Sequence, residues 1–270
     1  MPRQRNPARG ALPRESASNG CFETMRAYEG HIFRLDAHLD RLRASAQDLG
    51  VALPWDPQEL SRQLQRALAS SKLKEAVVRI ALLLRPNGGT VPSIVVQPAT
   101  LPPASAYRRG IALAVVPTRK HPVSTIDNQA KYSARLASVM AVADAQLRGA
   151  DEALWIDALG SVTESTASNF GIVRDGTIVT PPCWLGLLAG ITRDILCELA
   201  ASLRIPLQEL PLTRHDVYNA DEAFLTSTLK EVLPVTAVDG RTIGTGRPGP
   251  MTRRLLEAFR RLVRKELRIV

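Results

Sequence analysis

The chain has 270 residues, of which 45% are hydrophobic and 23% charged, and its formal net charge is +9. The excess lies at the two ends: residues 1–14 carry four arginines and no acid, residues 251–270 carry seven basic and two acidic side chains, and the 24 basic groups between them face 24 acidic groups. This balance excludes a basic domain built to follow a phosphate backbone, and the apolar content excludes disorder of the whole chain.

The first hundred residues predict a small α/β unit that starts with a hairpin. Gly30 separates two β-prone runs, and Asp36 is expected to cap a helix that ends at Gly50. Apolar residues recur at helical spacing within this helix. In chain order the predicted elements are a hairpin at 21–28 and 31–35, helices at 36–50 and 57–70, and strands at 76–84 and 93–97.

A stretch with three prolines, 98–109, predicts a linker to a second unit. That unit mixes hairpins with separate helices and lacks the strict strand–helix alternation of a doubly wound sheet. We therefore predict a small α/β domain at 20–105 and a larger domain at 106–270, after a segment at 1–19 that is disordered or truncated. The elements predicted in the larger domain are strands at 111–116, 152–157, 222–226 and 233–238, a hairpin turning at 174–176, and helices at 133–148, 190–203 and 252–267.

Apolar runs and cysteine usage indicate the setting of the protein. The longest apolar runs, such as 80–84 and 184–191, are far shorter than the roughly 20 residues that a membrane helix requires, so we expect no membrane partner. Cys21, Cys183 and Cys197 are odd in number and widely spaced, which argues against a disulfide framework or a zinc cluster. We expect a cytoplasmic protein without a nucleic-acid partner.

Several familiar motifs are absent or out of context. The string at 244–249, GTGRPG, matches the dinucleotide-binding fingerprint, but a Rossmann crossover needs a further strand and only the terminal helix remains. We interpret it as a turn before that helix. The four histidines show no ligand spacing with one another or with cysteine, so the sequence supports neither metal catalysis nor a Ser-His-Asp triad.

Lysine is scarce, with six residues against 29 arginines, which makes each one worth placing. Lys131 lies between a polar loop at 124–130 and the helix predicted at 133–148. From position alone, a solvated lysine near a helix start is the favoured interpretation. The alternative is a lysine that points inward, since a desolvated amine with a lowered pKa is a nucleophile that forms Schiff bases.

Four blocks of sequence together resemble the pyridoxal-phosphate enzymes of fold type IV, which include branched-chain aminotransferases, D-amino-acid aminotransferases and aminodeoxychorismate lyases. The order and spacing of the blocks carry the resemblance, which covers about residues 20–260. The blocks are GCFETMR at 20–26 with HLDRL at 38–42; Lys131 with GADEAL at 149–154; GSVTESTASNF at 160–170 with TPP at 180–182 and GITR at 190–193; and FLTST at 224–228 with PV at 234–235 and GRPGP at 246–250.

The resemblance implies a two-domain α+β or α/β fold, with a smaller N-terminal α/β domain and a larger mixed, barrel-like β domain with helices, and pyridoxal 5′-phosphate as the cofactor. It makes Lys131 the lysine that holds the cofactor covalently and moves a proton between the substrate α-carbon and the cofactor. It makes Glu164 the partner of the pyridine nitrogen, which keeps the ring protonated and an effective electron sink. Leu188 would pack against the ring.

The resemblance also implies a phosphate site. Arg41 would hold the phosphate by charge-assisted hydrogen bonds. Ile191 and Thr192 would offer backbone amides and a hydroxyl at a helix N-terminus, where unpaired N–H groups favour an anion. Thr228 would supply a further hydroxyl. Each of these residues also has a plainer interpretation, as a solvated arginine, an ordinary helix start or a strand threonine.

Substrate recognition is left open between two sides of the family. Arg85, at a strand end, resembles the arginine that binds substrate carboxylate in D-amino-acid aminotransferases and in the lyases, and a loop arginine without a partner is the equal alternative. The lyases often continue with Arg-Gly-Tyr where this chain has Thr-Val-Pro at 90–92. Leu136 stands where several branched-chain enzymes have a tyrosine, and Arg135 with Leu136 is similar to the lyase and D-amino-acid side.

We predict an aminotransferase of the branched-chain type, which exchanges an amino group between an amino acid and a 2-keto acid and forms a homodimer. The alternatives of the same fold are an aminodeoxychorismate lyase that releases pyruvate and a D-amino-acid aminotransferase. A cofactor-free binding protein is a more distant alternative, since the opening strand of the family has no counterpart in residues 1–18.

Overall fold

The computed structural model describes residues 20–53, 55–84, 90–121 and 129–269. Its first sheet has four antiparallel strands in the order β2-β1-β3-β4, and two helices accompany it. Leu42, Leu64 and Ile80 lie in the buried core between the sheet and these helices. The elements are β1 Gly20–Tyr28, β2 His31–Ile32, α1 Leu35–Asp48, α2 Pro57–Ser71, β3 Ala76–Leu84 and β4 Thr90–Pro98.

The two helices begin in different ways. The side chain of Asp56 accepts a hydrogen bond from the backbone of Glu59 at 2.8 Å and so caps α2, whose first residue is Pro57. The prediction that Asp36 caps α1 was wrong. Arg34, in the left-handed backbone region at φ 51°, leads from the hairpin into the helix, and Asp36 lies within its first turn, where its charge favours the helix dipole.

A closed barrel forms the centre of the second sheet, which has nine strands among the described residues. Six strands follow one another in the order β8-β11-β12-β5-β6-β7, and β7 pairs back to β8. The predicted two-domain α+β class with a barrel-like larger domain is therefore confirmed. The elements are α3 Ala104–Arg109, β5 Ile111–Val115, α4 Leu136–Leu147, β6 Glu152–Ile156, β7 Val162–Ser165, β8 Ser168–Arg174, β9 Thr177–Thr180, a 3₁₀ turn Cys183–Leu185, α5 Ile191–Ser202, β10 Leu207–Glu209, α6 Arg214–Tyr218, β11 Glu222–Ser227, β12 Glu231–Val238, β13 Arg241–Thr242 and α7 Pro250–Leu267.

Several elements differ from the predicted ones, and two of these differences concern the start of the second unit and the helix after Lys131. The proline-rich stretch contains the short helix α3, and α4 begins at Leu136 where the apolar pattern predicted a start at 133. The reason is that residues 131–133 run beside β1: Phe22 N–H donates to Lys131 C=O at 3.1 Å, and Ser133 N–H donates to Gly20 C=O at 2.8 Å. These bonds hold the backbone extended and delay the helix.

The two sheets share a hydrophobic core. Tyr28 and Phe33 of the first sheet region pack with Phe259 of α7, with ring centroids separated by 6.1 Å for the first pair and by 5.8 Å for Phe33 and Phe259. A buried ion pair between Arg26 and Glu231 joins the same regions at 2.8 Å. Within the described ranges, no helix has the length and apolar character needed to span a bilayer.

Candidate active site

A cavity of about 950 Å³ lies where β1, the segment before α4 and the turns after β7 and β11 meet. All seven residues that the sequence analysis assigned to a cofactor line it, although they come from distant parts of the chain. They are Arg41, Lys131, Glu164, Leu188, Ile191, Thr192 and Thr228. Arg85, predicted to bind substrate, and the segment 1–19 lie outside the described residues.

Lys131 reaches this cavity because its backbone is fastened to the first sheet region. Its N–H donates to Ser45 Oγ at 3.0 Å, and its Nζ lies 4.9 Å from the centroid of the Phe22 ring. Burial lowers the pKa of Lys131 to about 8; the charges of Arg41 and Arg135 act in the same direction and that of Glu23 acts against it. About a tenth of this amine is therefore neutral and nucleophilic at pH 7, far more than at the ordinary lysine pKa.

Arg41 is held rigidly at one end of the cavity by a carboxylate that the sequence analysis missed. Glu23, fully buried in β1, accepts from Arg41 Nε at 2.7 Å and Nη2 at 2.9 Å, and Arg41 Nη1 donates to Ala189 C=O at 2.8 Å. His38 Nδ1 lies 2.8 Å from Glu23. Burial alone would raise the pKa of Glu23, but Arg41 and His38 lower it to about 2.

The N-terminus of α5 adjoins Arg41 and suits an anion. No side chain caps this helix, so the amides of its first turn, at Ile191 and Thr192, are free to receive one. A side chain at position 190 would push Asn169 aside, because its Cβ would lie 1.9 Å from Asn169 Oδ1. The free amides make a cradle of the kind that a phosphate group requires.

Glu164 lies at another part of the cavity wall and carries an unexpected partner. The buried amine of Lys120 donates to Glu164 Oε1, and Lys120 Nζ lies 4.7 Å from the centroid of the Trp155 ring. Leu188 N–H donates to Glu164 Oε2 at 3.2 Å, and Asn169 Nδ2 lies 3.4 Å from the same oxygen. These contacts orient a carboxylate that can accept a hydrogen bond from a donor in the cavity.

The turn after β11 is tied to the barrel by another lysine, Lys230. Its Nζ donates to Glu152 and, at 3.1 Å, to Ser168 Oγ, and Thr166 Oγ1 donates to Glu152 as well. Burial raises the pKa of Glu152, but Lys230 and Thr166 outweigh it and hold the pKa below its usual value. The pair fastens the turn that contains Thr228.

Two arginines at or near the cavity, Arg79 and Arg135, had no binding role assigned from sequence; Arg135 was only compared with other members of the family. Arg79 lies 4.3 Å from the centroid of the Phe22 ring, and its Nε is buried without a hydrogen-bond partner. Burial and the nearby charge of Arg135 lower the pKa of Arg79. Arg135 lines the cavity and donates only to the backbone carbonyl of Thr166, at 2.9 Å, among the described residues. The available signal was a single charge, Arg79, within the apolar strand β3.

The charged residues on the cavity wall favour an anionic ligand. Among the described residues, six basic side chains line the cavity against two carboxylates, those of Asp48 and Glu164. The basic residues are Arg41, Arg119, Lys120, Lys131, Arg135 and Lys230. With a nucleophilic lysine, a phosphate cradle and an oriented carboxylate, these residues fit a phosphorylated aldehyde cofactor whose ring nitrogen carries a proton.

Comparisons with known proteins point to one family. The model of the family described as amino-transferase class IV matches residues 20–238. A protein named as a putative branched-chain-amino-acid aminotransferase of Methanocaldococcus jannaschii is 36% identical over 249 residues, which cover 90% of this chain and 86% of the relative. The branched-chain-amino-acid aminotransferase of Pseudomonas aeruginosa is 36% identical over 258 residues, which cover 90% of this chain and 84% of the relative.

Solved structures agree with these relatives. The structure of a T.th. branched-chain amino acid aminotransferase with pyridoxamine 5′-phosphate aligns with a TM-score of 0.87 and 31% identity, covering 91% of this chain and 85% of the other. The branched-chain amino acid aminotransferase of Escherichia coli aligns with a TM-score of 0.88 and 30% identity, covering 94% of this chain and 90% of the other. The similarity extends over nearly all of both chains.

Proposed function

The chain belongs to the class IV aminotransferase family, and on that premise we propose that it exchanges amino groups between branched-chain amino acids and 2-keto acids. The enzyme depends on pyridoxal 5′-phosphate. One observation carries the proposal: Lys131, with a pKa lowered to about 8, shares a cavity with an anion cradle at α5 and an oriented carboxylate at Glu164.

Different residues of the cavity would bind different parts of the cofactor. Lys131 would form the covalent link through Nζ, and Arg41 and the first amides of α5 would hold the phosphate with Thr228. The Glu164 carboxylate would accept a hydrogen bond from the protonated ring nitrogen and so keep the proton there. When bound, the cofactor supplies an electron sink for the electrons released at the substrate α-carbon. The Lys131 amine would take the proton from the substrate α-carbon and deliver it to the C4′ carbon of the cofactor.

The wall of the cavity supports an apolar substrate side chain. Phe22, Leu84 and Leu229 line it together with Leu188, and none of these four side chains carries a hydrogen-bonding group. Arg135 offers a separate contact for an acidic co-substrate, since it has no carboxylate partner among the described residues. A branched-chain amino acid and a dicarboxylic keto acid would use these two features in turn.

The cofactor spectrum tests this function. We expect that L-valine or L-leucine, mixed with the cofactor-loaded enzyme without an acceptor, converts the absorbance of the aldehyde form of the cofactor to that of the amine form. In a separate experiment, borohydride trapping should label the peptide that contains Lys131. D-Alanine and aminodeoxychorismate serve as the comparison substrates. Conversion by D-alanine alone, or pyruvate release without an acceptor, would replace the proposed function by one of its alternatives.

We also propose a homodimer, which the surface of α4 supports. Leu136, Val139, Met140 and Leu147 are 75%, 65%, 56% and 88% exposed, and such an apolar helix face beside the cavity is unusual for a monomer. Light scattering should give twice the chain mass for the wild type. Met140→Glu should lower that mass, whereas a monomeric wild type would contradict the proposal.

A cytoplasmic location is proposed as well. All three cysteines are free, which is consistent with a reducing compartment. Cell fractionation with a cytoplasmic marker enzyme tests it, and recovery outside the cytoplasmic fraction would contradict it.

A further inference from the structure

A second cavity, of about 640 Å³, lies at the far end of β1 from the active site. Alternate residues of a strand point to the same face, and here one face of β1 serves both cavities: Phe22 and Thr24 line the first, and Arg26 and Tyr28 line the second. No residue assigned above to the cofactor lines the second cavity. Its volume lies within the range of small-molecule sites, about 300–1,000 Å³.

The acidic groups of this cavity are already engaged. Glu231, which is buried, accepts from Arg26 Nη1 at 2.8 Å, from Arg260 Nε at 2.7 Å and from the Tyr28 hydroxyl at 3.3 Å. Glu75 accepts from Arg26 Nη2 at 3.2 Å. The third carboxylate, on Glu29, pairs with Lys74 at 3.3 Å, outside the cavity lining.

Three cationic side chains of the cavity keep donors that no acidic group uses in the described part of the chain. Arg108 of α3 and Arg264 of α7 line the cavity and form no ion pair there. Arg26 is only 8% exposed, yet its Nε finds no hydrogen-bond acceptor. The enclosed Arg26 Nε cannot itself meet a ligand. Because Arg108 and Arg264 line the cavity without an acidic partner among the described residues, the cavity is suited to a ligand that brings negative charge.

The remaining wall is apolar, which defines the rest of the ligand. Leu101, Pro102, Val263 and Ile269 line the cavity together with the ring of Tyr107. Inorganic anions would leave this surface uncovered. The combination fits an organic acid whose anionic group meets the arginines and whose aliphatic or aromatic body covers the wall.

A single turn separates the two cavities. Residues 226–230 line the active site, and the next residue, Glu231, lines the second cavity with its backbone in the left-handed region at φ 54°. Tyr107 lines the second cavity, and its hydroxyl donates to the backbone carbonyl of Lys230 at 3.2 Å. A ligand that shifts Tyr107 or Glu231 therefore acts directly on the turn that contains Thr228.

We propose that the second cavity binds a monoanionic organic acid with an apolar body, that Arg108 and Arg264 hold its anionic group, and that its occupancy alters the active-site turn through Tyr107 and Glu231. The binding statement is independent of the proposed function. The coupling statement rests on it, because it assigns Thr228 to the cofactor.

Binding is tested with 1-anilinonaphthalene-8-sulfonate, a fluorescent anion with an aromatic body, on enzyme whose cofactor has been fixed by borohydride. We expect one saturable site per chain and, in the double variant Arg108→Ala with Arg264→Ala, an affinity at least about tenfold weaker. The matched control removes two exposed arginines of α7 that do not line the cavity, Arg253→Ala with Arg261→Ala, and should leave the affinity unchanged. Equal affinity in all three proteins, or equal weakening in both variants, overturns the proposal.

Coupling is tested on cofactor-free protein through the affinity for pyridoxal phosphate. Saturation with the probe should change this affinity by about fivefold or more in the wild type, and Tyr107→Phe, which removes only the hydroxyl, should reduce the change. An unchanged cofactor affinity in the wild type overturns the coupling. Failure to transaminate, with the probe site intact, would count against the proposed function and leave the second site standing.

Discussion

Lys120 and Glu164 form a buried ion pair on the wall of the active-site cavity, and both side chains are more than nine-tenths buried. Removing one partner of a buried pair leaves an uncompensated charge, which typically costs about 3–5 kcal/mol. We therefore expect Lys120→Met to lower the free energy of unfolding of the cofactor-free protein by about that amount. Urea denaturation measures it.

The cofactor-loaded form of Lys120→Met tests whether Glu164 contacts the ring nitrogen of the cofactor. If Glu164 accepts a hydrogen bond from the protonated ring nitrogen, the cofactor gives it a second cationic partner, so the destabilisation should be smaller than in the cofactor-free form. Lys120→Arg keeps the charge and should behave nearly as the wild type. Equal losses in both forms would argue that Glu164 does not contact the ring nitrogen.

Lys131 should titrate in an accessible range. Its folded-state pKa of about 8 lies below the ordinary value of 10.5, mainly because of burial, so the neutral amine is favoured in the folded chain. The rate at which cofactor-free protein forms its covalent link should therefore rise with pH and reach its half-maximum near pH 8. Arg135→Met removes a charge that lowers this pKa and should move the midpoint upward. A wild-type midpoint at the ordinary lysine value would contradict the assignment.

Glu23 should make the protein sensitive to acid. Its folded-state pKa of about 2 lies below the ordinary 4.5, so the stability that it contributes is present above pH 4.5 and is lost as pH falls toward 2. The difference corresponds to about 3 kcal/mol. Denaturant unfolding of wild type and Glu23→Gln should differ by about this amount at neutral pH, and the two should converge as pH approaches the folded-state pKa. A constant difference across this range would show that packing, not charge, explains the loss.

The seven cofactor residues could be proposed from sequence because each lies in, or within two residues of, a short block whose order and spacing resemble the fold type IV enzymes. Glu23, Lys120 and Arg79 could not, because their roles depend on contacts across the chain: Glu23 meets Arg41 from 18 residues away, and Lys120 meets Glu164 from 44 residues away. The spacing of residues in the sequence predicts which of them lie on the same side of a helix or strand. It does not predict which charged residue from a distant part of the chain contacts them.

The start of α4 is another feature that local sequence could not predict. The apolar period predicted a helix from 133, but the backbone bonds from Ser133 and Phe22 to the neighbouring segment hold residues 131–133 beside β1. Tertiary hydrogen bonds thus override helical propensity at the residue that matters most, Lys131. The helix α3 was not predicted because the prolines of this stretch were interpreted as a linker. Prolines mark a boundary but do not exclude a helix that begins after Pro103.

Lys230 and Glu152 should act as a unit on the cofactor-binding turn. The pair fastens the turn after β11 to the barrel, so Lys230→Met and Glu152→Gln should each weaken the affinity for pyridoxal phosphate, by about tenfold. In the double variant the losses should not add, with an interaction energy of about 0.5–3 kcal/mol. Fluorescence titration of the cofactor measures each constant, and strictly additive losses would mean that the two residues act separately.

Arg135 should distinguish acidic from apolar substrates. It lines the cavity and has no carboxylate partner in the described ranges, so an incoming carboxylate would find its charge available. Arg135→Met should raise KM for 2-oxoglutarate by about tenfold or more, since a charge-assisted hydrogen bond contributes about 1.5–3 kcal/mol, and should change KM for L-valine little. Arg135→Lys keeps a charge but loses the fork of donors, and an intermediate KM is expected. Because the same variant moves the pKa of Lys131, KM must be compared at a pH where kcat has reached its plateau; equal effects on both substrates would assign Arg135 to the lysine and not to the acceptor.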